Sequence, residues 1–349
     1  SSIAKPTDYF NTKLYTGNGS TNAITGVGFQ PDWVWVKDRD TSGYNHVLND
    51  SVRGVTKYLR SNLTNAEATI TDAITSFDND GFTLGSDASN GESNRNTINY
   101  VSWNWKAGGA GSTNNDGSTA STVSANTTAG FSIVQHSGSG GATTIGHGLG
   151  AAPKIVLSKR TSGTNSWIFQ QPIIGGSWTS SNYLTLNSNA AAASSSTIVN
   201  NVSSSIISFA GADDWVNASG STYIHYVFAE KTGYSKFGKY TGNDSNDGTF
   251  IYCGFKPAFV ITKSTTTAEA WNLMDNKRKY TYNPTGYFLY PNKNIAEAAD
   301  TQYSATDFVS NGFKLRNSHG QFNGTATHLY MAFAEAPLVG SNNVPCTAR

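Results

Sequence analysis

The chain repeats one pattern three times, and this repetition constrains its fold more than any other feature. A glycine, a proline and an apolar segment ending in lysine recur at 28–37, 148–159 and 254–263. A second, aromatic segment follows each time after 75 (28 to 103), 80 (148 to 228) and 79 (254 to 333) residues. Because two unrelated markers keep nearly the same separation, the pattern indicates an internal repeat. We therefore predict three similar domains in tandem.

Each repeat is long enough to bury a core of its own, since domains commonly contain about 50–250 residues. We therefore expect separate domains joined like beads on a string. The sequence predicts a first repeat at 1–110, a linker or exposed loop rich in Gly, Ser and Asn at 111–129, a second repeat at 130–232, a third repeat at 233–340 and a C-terminal tail at 341–349.

Composition narrows the fold class and the range of partners. Lys plus Arg number 24 and Asp plus Glu number 23, so the net charge of +1 gives no attraction to nucleic acid or to an anionic membrane. No apolar run approaches the roughly 20 residues of a membrane span, so we expect no membrane insertion. Aromatic residues at 12% and 35 glycines are typical of short strands that alternate with polar turns. The prediction is an all-β chain of three antiparallel β-sandwiches of the jelly-roll or lectin-like type.

Side chains that could carry catalysis or bind metal are few. His225 and His328 lie in aromatic segments and should pack there, whereas the other histidines lie near turns and should be in solvent. The acidic loops at 78–81 and 244–248 are interpreted as Asx turns, with calcium held between loops as the alternative. No pair of carboxylates suggests sugar hydrolysis. We predict no enzyme, no cofactor and no metal.

The two cysteines, Cys253 and Cys346, occupy non-equivalent places in the repeat. They are most simply two unpaired thiols, with a disulfide that anchors the tail as the alternative.

Aromatic side chains remain as candidate binding residues. Exposed rings flanked by Asn, Ser and Asp suit sugars, and the tryptophans closest to loops are Trp167, Trp178, Trp215 and Trp271. The run Trp33-Val34-Trp35-Val36 is bulky on both faces of a strand, so it lies either centrally in a sandwich or against another subunit, and Trp33 and Trp35 are the candidate interface residues. Packing in the core is the alternative for all six.

The repeat markers also resemble a known group of proteins. The segments GFQPDWVWVK at 28–37, DSVRG at 50–54 with LTNAE at 63–67, WNWKAGG at 103–109 and YMAFAE at 330–335 resemble repeated modules of tail-fibre-like structural proteins in tailed phages, especially marine and cyanobacterial phages. The resemblance implies a virion protein on the extracellular surface of the phage particle, with other virion proteins as partners. It implies a homo-oligomer, with a trimer favoured, and it brings no catalytic residues.

The leading hypothesis is a non-enzymatic phage structural protein, a tail-fibre or appendage subunit, that binds host surface polysaccharide through its modules. Repeated weak sites would gain avidity from their shared geometry. The first alternative is a capsid decoration protein or architectural spacer. A polysaccharide depolymerase and a bacterial surface adhesin are the remaining alternatives.

Overall fold

The computed structural model describes residues 3–180, 182–278, 283–299 and 306–339, and these residues form an all-β fold, as the sequence predicted. The helices are single turns: α1 at Pro172–Gly175, α2 at Gly320–Asn323 and 3-10 turns at Pro6–Asp8 and Trp178–Ser180. Within the described ranges, no helix is long and apolar enough to cross a membrane.

Unit one forms two antiparallel sheets. Its strands are β1 Phe10–Thr16, β2 Asn22–Thr25, β3 Trp33–Asp38, β4 Val47–Asp50, β5 Lys57–Leu59, β6 Ala68–Thr69, β7 Ile74–Asp78, β8 Gly81–Leu84 and β9 Asn99–Trp105. The large sheet has the order β1-β9-β3-β4-β5-β6, and the small sheet has the order β2-β8-β7.

Unit two repeats this plan with two added strands. Its strands are β10 Ser112–Asn114, β11 Ser121–Asn126, β12 Phe131–Ser137, β13 Thr143–Gly146, β14 Ile155–Arg160, β15 Ile168–Gln170, β16 Asn182–Thr185, β17 Ala193–Ser194, β18 Val199–Val202, β19 Ile206–Phe209 and β20 Thr222–Phe228. The large sheet has the order β10-β11-β12-β20-β14-β15-β16-β17, and the small sheet has the order β13-β19-β18.

The linker predicted at 111–129 is wrong, because β10 and β11 lie within it and extend the large sheet of unit two. The polar residues of β10 suit its place at the edge of the sheet, and β11 buries Ser121, Val123 and Ser124.

Unit three completes the repeat. Its strands are β21 Ser235–Thr241, β22 Phe250–Tyr252, β23 Phe255–Ser264, β24 Asn272–Asp275, β25 Tyr287–Phe288, β26 Ala298–Ala299, β27 Thr306–Val309, β28 Gly312–Leu315 and β29 Thr327–Pro337. The sheets have the orders β21-β29-β23-β24, β22-β28-β27 and β25-β26. In every unit the last strand lies between the first core strand and the strand that follows the proline turn.

Each large sheet has two apolar faces. In unit one, Val34 and Val36 pack toward the small sheet with Ile24 and Phe82, while Trp33 and Trp35 point to the opposite side. This alternation follows from the two-residue period of a strand. We call the face with Val34 and Val36 the outer face; it packs on the small sheet and completes a sandwich within the unit. The opposite face, with Trp33 and Trp35, is the inner face, and it needs a partner from elsewhere.

The inner faces of all three large sheets meet in one central core. Ring centroids lie 4.2 Å apart for Trp33 and Tyr226, 5.3 Å for Phe10 and Phe259, and 5.8 Å for Phe228 and Phe333, so every pair of units is in aromatic contact. The expectation of separate beads is therefore wrong. An isolated unit would expose the apolar inner face that the other two units cover.

Candidate functional site at the joints and the aromatic surfaces

The three units are joined in a closed ring by one repeated hydrogen bond. Trp167 Nε1 of unit two donates to Arg60 O of unit one at 2.8 Å, and Trp271 Nε1 of unit three donates to Thr185 O of unit two at 2.9 Å. His46 of unit one closes the ring, since its Nε2 lies 2.9 Å from Tyr290 O of unit three.

The environment of His46 fixes its protonation. Trp35 Nε1 donates to His46 Nδ1 at 2.9 Å, so the remaining nitrogen, Nε2, carries the hydrogen that faces Tyr290 O. Burial lowers the pKa of His46 well below its usual value, and the nearby charge of Lys37 adds to this effect. A neutral imidazole therefore takes the place that tryptophan occupies in the other two units.

Four of the six tryptophans singled out in the sequence are buried inside the chain, two of the predicted binding residues and both predicted interface residues. Trp167 and Trp271 are 0% exposed, so they cannot stack on a sugar. Trp33 and Trp35 are 2% and 1% exposed and belong to the central core, so the predicted subunit interface is in fact a contact between units of one chain. These four tryptophans therefore pack in the core, which was the alternative interpretation of the sequence.

A buried ion pair holds the first joint, between units one and two. Arg53 Nε donates to Asp50 Oδ2 at 2.6 Å, and Tyr226 Oη of unit two donates to the same carboxylate oxygen at 2.7 Å. The guanidinium also donates to Glu67 Oε2 at 3.3 Å. Both charged side chains of the Arg53–Asp50 pair are at most 1% exposed.

The joint between units three and one repeats this arrangement. Arg278 Nε donates to Asp275 Oδ2 at 2.6 Å, and Trp103 Nε1 of unit one donates to that oxygen at 3.0 Å. Arg278 Nη1 also donates to Glu297 Oε2 at 3.0 Å. In both joints an arginine therefore fills the space between two converging carboxylates, which leaves neither pair open to a substrate.

The joint between units two and three lacks the ion pair. The position of Asp50 and Asp275 is occupied by Gln171, and the position of the two arginines by Ile174. The partner position, held by Tyr226 and Trp103 elsewhere, is Met331, as the strand pairing Ile261 to Met331 shows. Methionine offers no N–H or O–H donor, so an aspartate here would lose its cross-unit hydrogen bond.

The lysine that ends each repeat marker is buried. Lys37, Lys159 and Lys263 are 0% exposed, and each Nζ donates to the carbonyl oxygen of the next residue at 2.6 to 2.7 Å. Burial lowers the pKa of Lys37 and Lys263 to about 8 and that of Lys159 to about 7. The recurrence of these lysines was visible in the sequence, but their burial was not predicted from it.

Trp178 and Trp215 keep part of their surface in solvent. Both are half-buried and pack against the outer core of unit two. The centroids of the Trp215 and Tyr183 rings lie 5.1 Å apart. Asp213 Oδ1 accepts a hydrogen bond from Trp215 N at 2.8 Å. An aromatic pair beside a carboxylate is an arrangement that suits a sugar.

A second aromatic surface lies on β22 and was missed in the sequence. Phe250 and Tyr252 are 43% and 58% exposed, and they flank the buried Ile251 on the edge strand of the small sheet. Residues two apart share a face and lie about 7 Å apart along a strand. We name this pair the β22 aromatic surface.

Comparison of the units shows that the β22 aromatic surface belongs to unit three alone. Ile24 and Ile145 take the place of Ile251 in the small sheets of units one and two. They are flanked by Ala23 and Thr25, and by Thr144 and Gly146. An alignment of the three repeats could have revealed this difference.

Three of the four histidines expected in solvent are buried. His46 and His147 are 0% exposed and His136 is 3% exposed, so that expectation is wrong for them. His225 packs beside Phe209, and His328 stacks on Tyr240 at 5.0 Å, as predicted.

A buried row of three hydrogen-bonded side chains crosses unit two. Ser158 Oγ lies 2.7 Å from His225 Nδ1, and His225 Nε2 lies 3.0 Å from His136 Nδ1. Burial lowers the pKa of His136 to about 4 and that of His225 well below its usual value. Because Ser158 is 0% exposed, no substrate reaches its hydroxyl group.

The acidic loops use their carboxylates for local structure. Asp80 accepts hydrogen bonds from Gly26 N at 2.9 Å and Gly28 N at 2.6 Å, and Asp247 pairs with Lys314. Across the described ranges, no three His, Cys, Asp or Glu residues are grouped so that they could hold a metal ion. Cys253 is buried, and Cys346 lies outside the described residues.

A family model matches residues 5–337, from the first 3-10 turn to the end of β29, so it spans all three units. The chain belongs to the family described as "Domain of unknown function (DUF7483)". One DUF7483 model thus covers the ring of three units together. No curated protein and no solved structure matches this DUF7483 chain.

Proposed function

We propose that this chain is a non-enzymatic structural protein of a tailed phage particle, a tail-fibre or appendage subunit, that contacts host surface polysaccharide through the β22 aromatic surface. The exposed Phe250 and Tyr252 pair carries the proposal, because the other two units have small residues at the same positions. The repeated segments that resemble tail-fibre-like proteins support the setting on the extracellular surface of the particle.

The surroundings of the β22 aromatic surface suit a sugar. Lys314 lies opposite Phe250 in the strand pairing, and it forms an ion pair with Asp247 at 2.7 Å. Arg316 pairs with Asp307 at 2.5 Å on the neighbouring strands. Aromatic rings would stack on the C–H face of a sugar while these charged groups bind its hydroxyls. We propose no catalytic residue, no cofactor and no metal.

The binding of fluorescently labelled protein to host cells tests this proposal, before and after enzymatic removal of the surface polysaccharide. We expect saturable binding that is lost on removal and that falls tenfold or more in the double variant Phe250→Ala, Tyr252→Ala. Exposed positions of this kind change stability by about 0.5 kcal/mol or less, so the variant should fold. Thr25→Ala, at the position of Tyr252 in unit one, is the matched control.

Undiminished binding by the double variant would overturn the role of β22, and Trp215→Ala would then test the half-buried surface of unit two. Absence of binding by the folded protein would favour the second candidate, an architectural spacer or capsid decoration protein. The contacts between units favour that candidate, because buried hydrogen bonds join each sandwich to the other two. Its partners would be other virion proteins, with a homotrimer as the expected assembly.

A further inference from the structure

The small sheet of unit three has an open edge. Among the described strands, β22 pairs only with β28 and is the outermost strand of this sheet. Cys253 N, directly after β22, donates to Asn311 O at 2.9 Å. Because backbone groups alternate in direction along a strand, Phe250 and Tyr252 direct their N–H and C=O groups away from β28. No described residue forms a hydrogen bond with these four backbone groups.

Unit two shows that this edge of the sandwich accepts a further segment. The equivalent strand, β13, also lies at the edge of its small sheet, but there Thr119 forms a bridge to Ile145. Thr119 N donates to Thr144 O at 3.0 Å, and Thr144 N donates to Ser118 Oγ at 3.0 Å. The segment before β11 thus satisfies the backbone groups of Thr144, the counterpart of Phe250. In the described part of unit three, no segment covers β22 in this way.

β22 lacks the features that keep an exposed edge from pairing. Natural edge strands carry lysine, proline, a bulge or an inward-pointing charge for this purpose. The three residues of β22 are Phe, Ile and Tyr, without a charge or a proline. Phe250 and Tyr252 are 43% and 58% exposed, so the same two residues offer unpaired backbone groups and apolar surface. An edge of this kind is a template for pairing with another chain.

The spacing of these groups matches a second copy of the same strand. In an antiparallel pair centred on Ile251, Phe250 of each copy lies opposite Tyr252 of the other copy. Both residues direct their backbone groups toward the partner, so each Phe250–Tyr252 pair exchanges both of its hydrogen bonds. Side chains that lie directly opposite are about 4.5–5.5 Å apart at Cβ, which lets the two rings pack together. The net charge of +1 gives little repulsion between copies.

We propose that β22 pairs with β22 of a second copy of this chain, so that two three-stranded sheets join into one. Three residues from each copy bury far less than the roughly 1,600 Å² of a stable interface, so we expect a weak dimer with a dissociation constant of about 0.01–1 mM. Copies held close together on a particle pair at this affinity. The contact is twofold, so it adds to the proposed homotrimer and does not replace it.

The pairing also enlarges the β22 aromatic surface. Residues two apart share a face of the strand, so Phe250 and Tyr252 of both copies place their rings side by side on the solvent face of the joined sheet. A sugar chain then meets a surface twice as long. The value of this larger surface for binding rests on the proposed function, whereas the pairing of the two strands does not.

Sedimentation equilibrium of the purified chain tests the pairing at protein concentrations from about 1 μM to 1 mM. We expect a monomer–dimer equilibrium. Tyr252→Pro removes an N–H that points to the partner and leaves the pairing with β28 intact, because proline is tolerated at such edge positions. It should weaken dimerisation tenfold or more relative to Tyr252→Ala, which removes the ring and keeps the N–H. Thr25→Pro, at the equivalent position in unit one, is the matched control and should leave the dimer unchanged.

Hydrogen-exchange mass spectrometry of the unmodified chain gives a second readout, which keeps the proposal testable if Tyr252→Pro fails to fold. Peptides that contain Phe250 and Tyr252 should exchange more slowly at high protein concentration than at low concentration. The proposal is overturned by a monomer across the whole range, by a dimer without this protection, or by equal dimerisation of Tyr252→Pro and Tyr252→Ala.

Protection that appears only when another virion protein is added would assign the edge to that partner and would also overturn the pairing of two copies. These measurements use no polysaccharide. Failure here is therefore distinguishable from failure of the cell-binding experiment.

Discussion

Replacing Lys159 with methionine should stabilise the protein at low pH and destabilise it at high pH. The Lys159 side chain is 0% exposed, and burial lowers its pKa from 10.5 to about 7, with the charges of Arg160 and Arg53 acting in the same direction. At about 1.36 kcal/mol for each pH unit, protonated Lys159 costs the folded state about 5 kcal/mol. Between pH 7 and pH 10.5 the unfolded chain binds the extra proton, so stability rises with pH.

Lys→Met keeps the apolar stem and removes the ammonium group. The two carbonyl oxygens that accept from Lys159 Nζ, those of Arg160 at 2.7 Å and Thr64 at 3.3 Å, then lose their donor. This loss costs about 1–3 kcal/mol in total, because it breaks one short and one long hydrogen bond. We therefore expect Lys159→Met to gain about 2–4 kcal/mol near pH 6 and to lose up to about 2 kcal/mol near pH 10, where the unfolded lysine is still mostly protonated.

Urea denaturation of both proteins at several pH values gives the difference in unfolding free energy. Other titrating groups affect both proteins alike and cancel in this difference. Lys239→Met serves as a control on an exposed side chain, for which we expect no reversal of sign. A difference for Lys159→Met that keeps one sign across this pH range would refute the reasoning.

Two further changes test the joints, again by urea denaturation. Asp275→Ala leaves the Arg278 guanidinium buried without its closest carboxylate and should cost about 3–5 kcal/mol, whereas the double change Asp275→Leu, Arg278→Met should cost far less. Equal losses in both proteins would contradict this account of the joint. Trp271→Phe removes the hydrogen bond to Thr185 O while keeping an aromatic ring, and it should cost about 1–3 kcal/mol. An unchanged unfolding free energy would show that this bond does not join the units.

The fold class was predictable because strand patterns are local. The run Trp33-Val34-Trp35-Val36 is bulky on both faces, and the sequence left open whether it lies centrally in a sandwich or faces another subunit. It could not identify the partners, since the inner partner lies in another unit of the same chain. The prediction of separate beads failed because domain length alone does not show that an inner face needs a neighbour.

The joints were missed because equivalent positions carry different residues. His46, Trp167 and Trp271 share one role, yet the first is a histidine, so the pattern does not stand out. A shared signal was present. Each is followed 16 to 21 residues later by an asparagine whose Oδ1 accepts its backbone N–H: Asn62, Asn187 and Asn292.

Binding residues were harder to predict than structural ones. Loop proximity suggested that Trp167 and Trp271 are exposed, but both point into contacts with a neighbouring unit. Phe250 and Tyr252 look like ordinary strand residues in the sequence, and their exposure follows from the position of β22 at a sheet edge.

The central claim is that three sandwiches fold as one body around a shared core. Differential scanning calorimetry tests it directly, because the ratio of calorimetric to van't Hoff enthalpy reports the number of units that unfold together. We predict a single transition with a ratio close to one. A ratio near three, or three resolved transitions, would show that the units fold independently and would contradict the shared core.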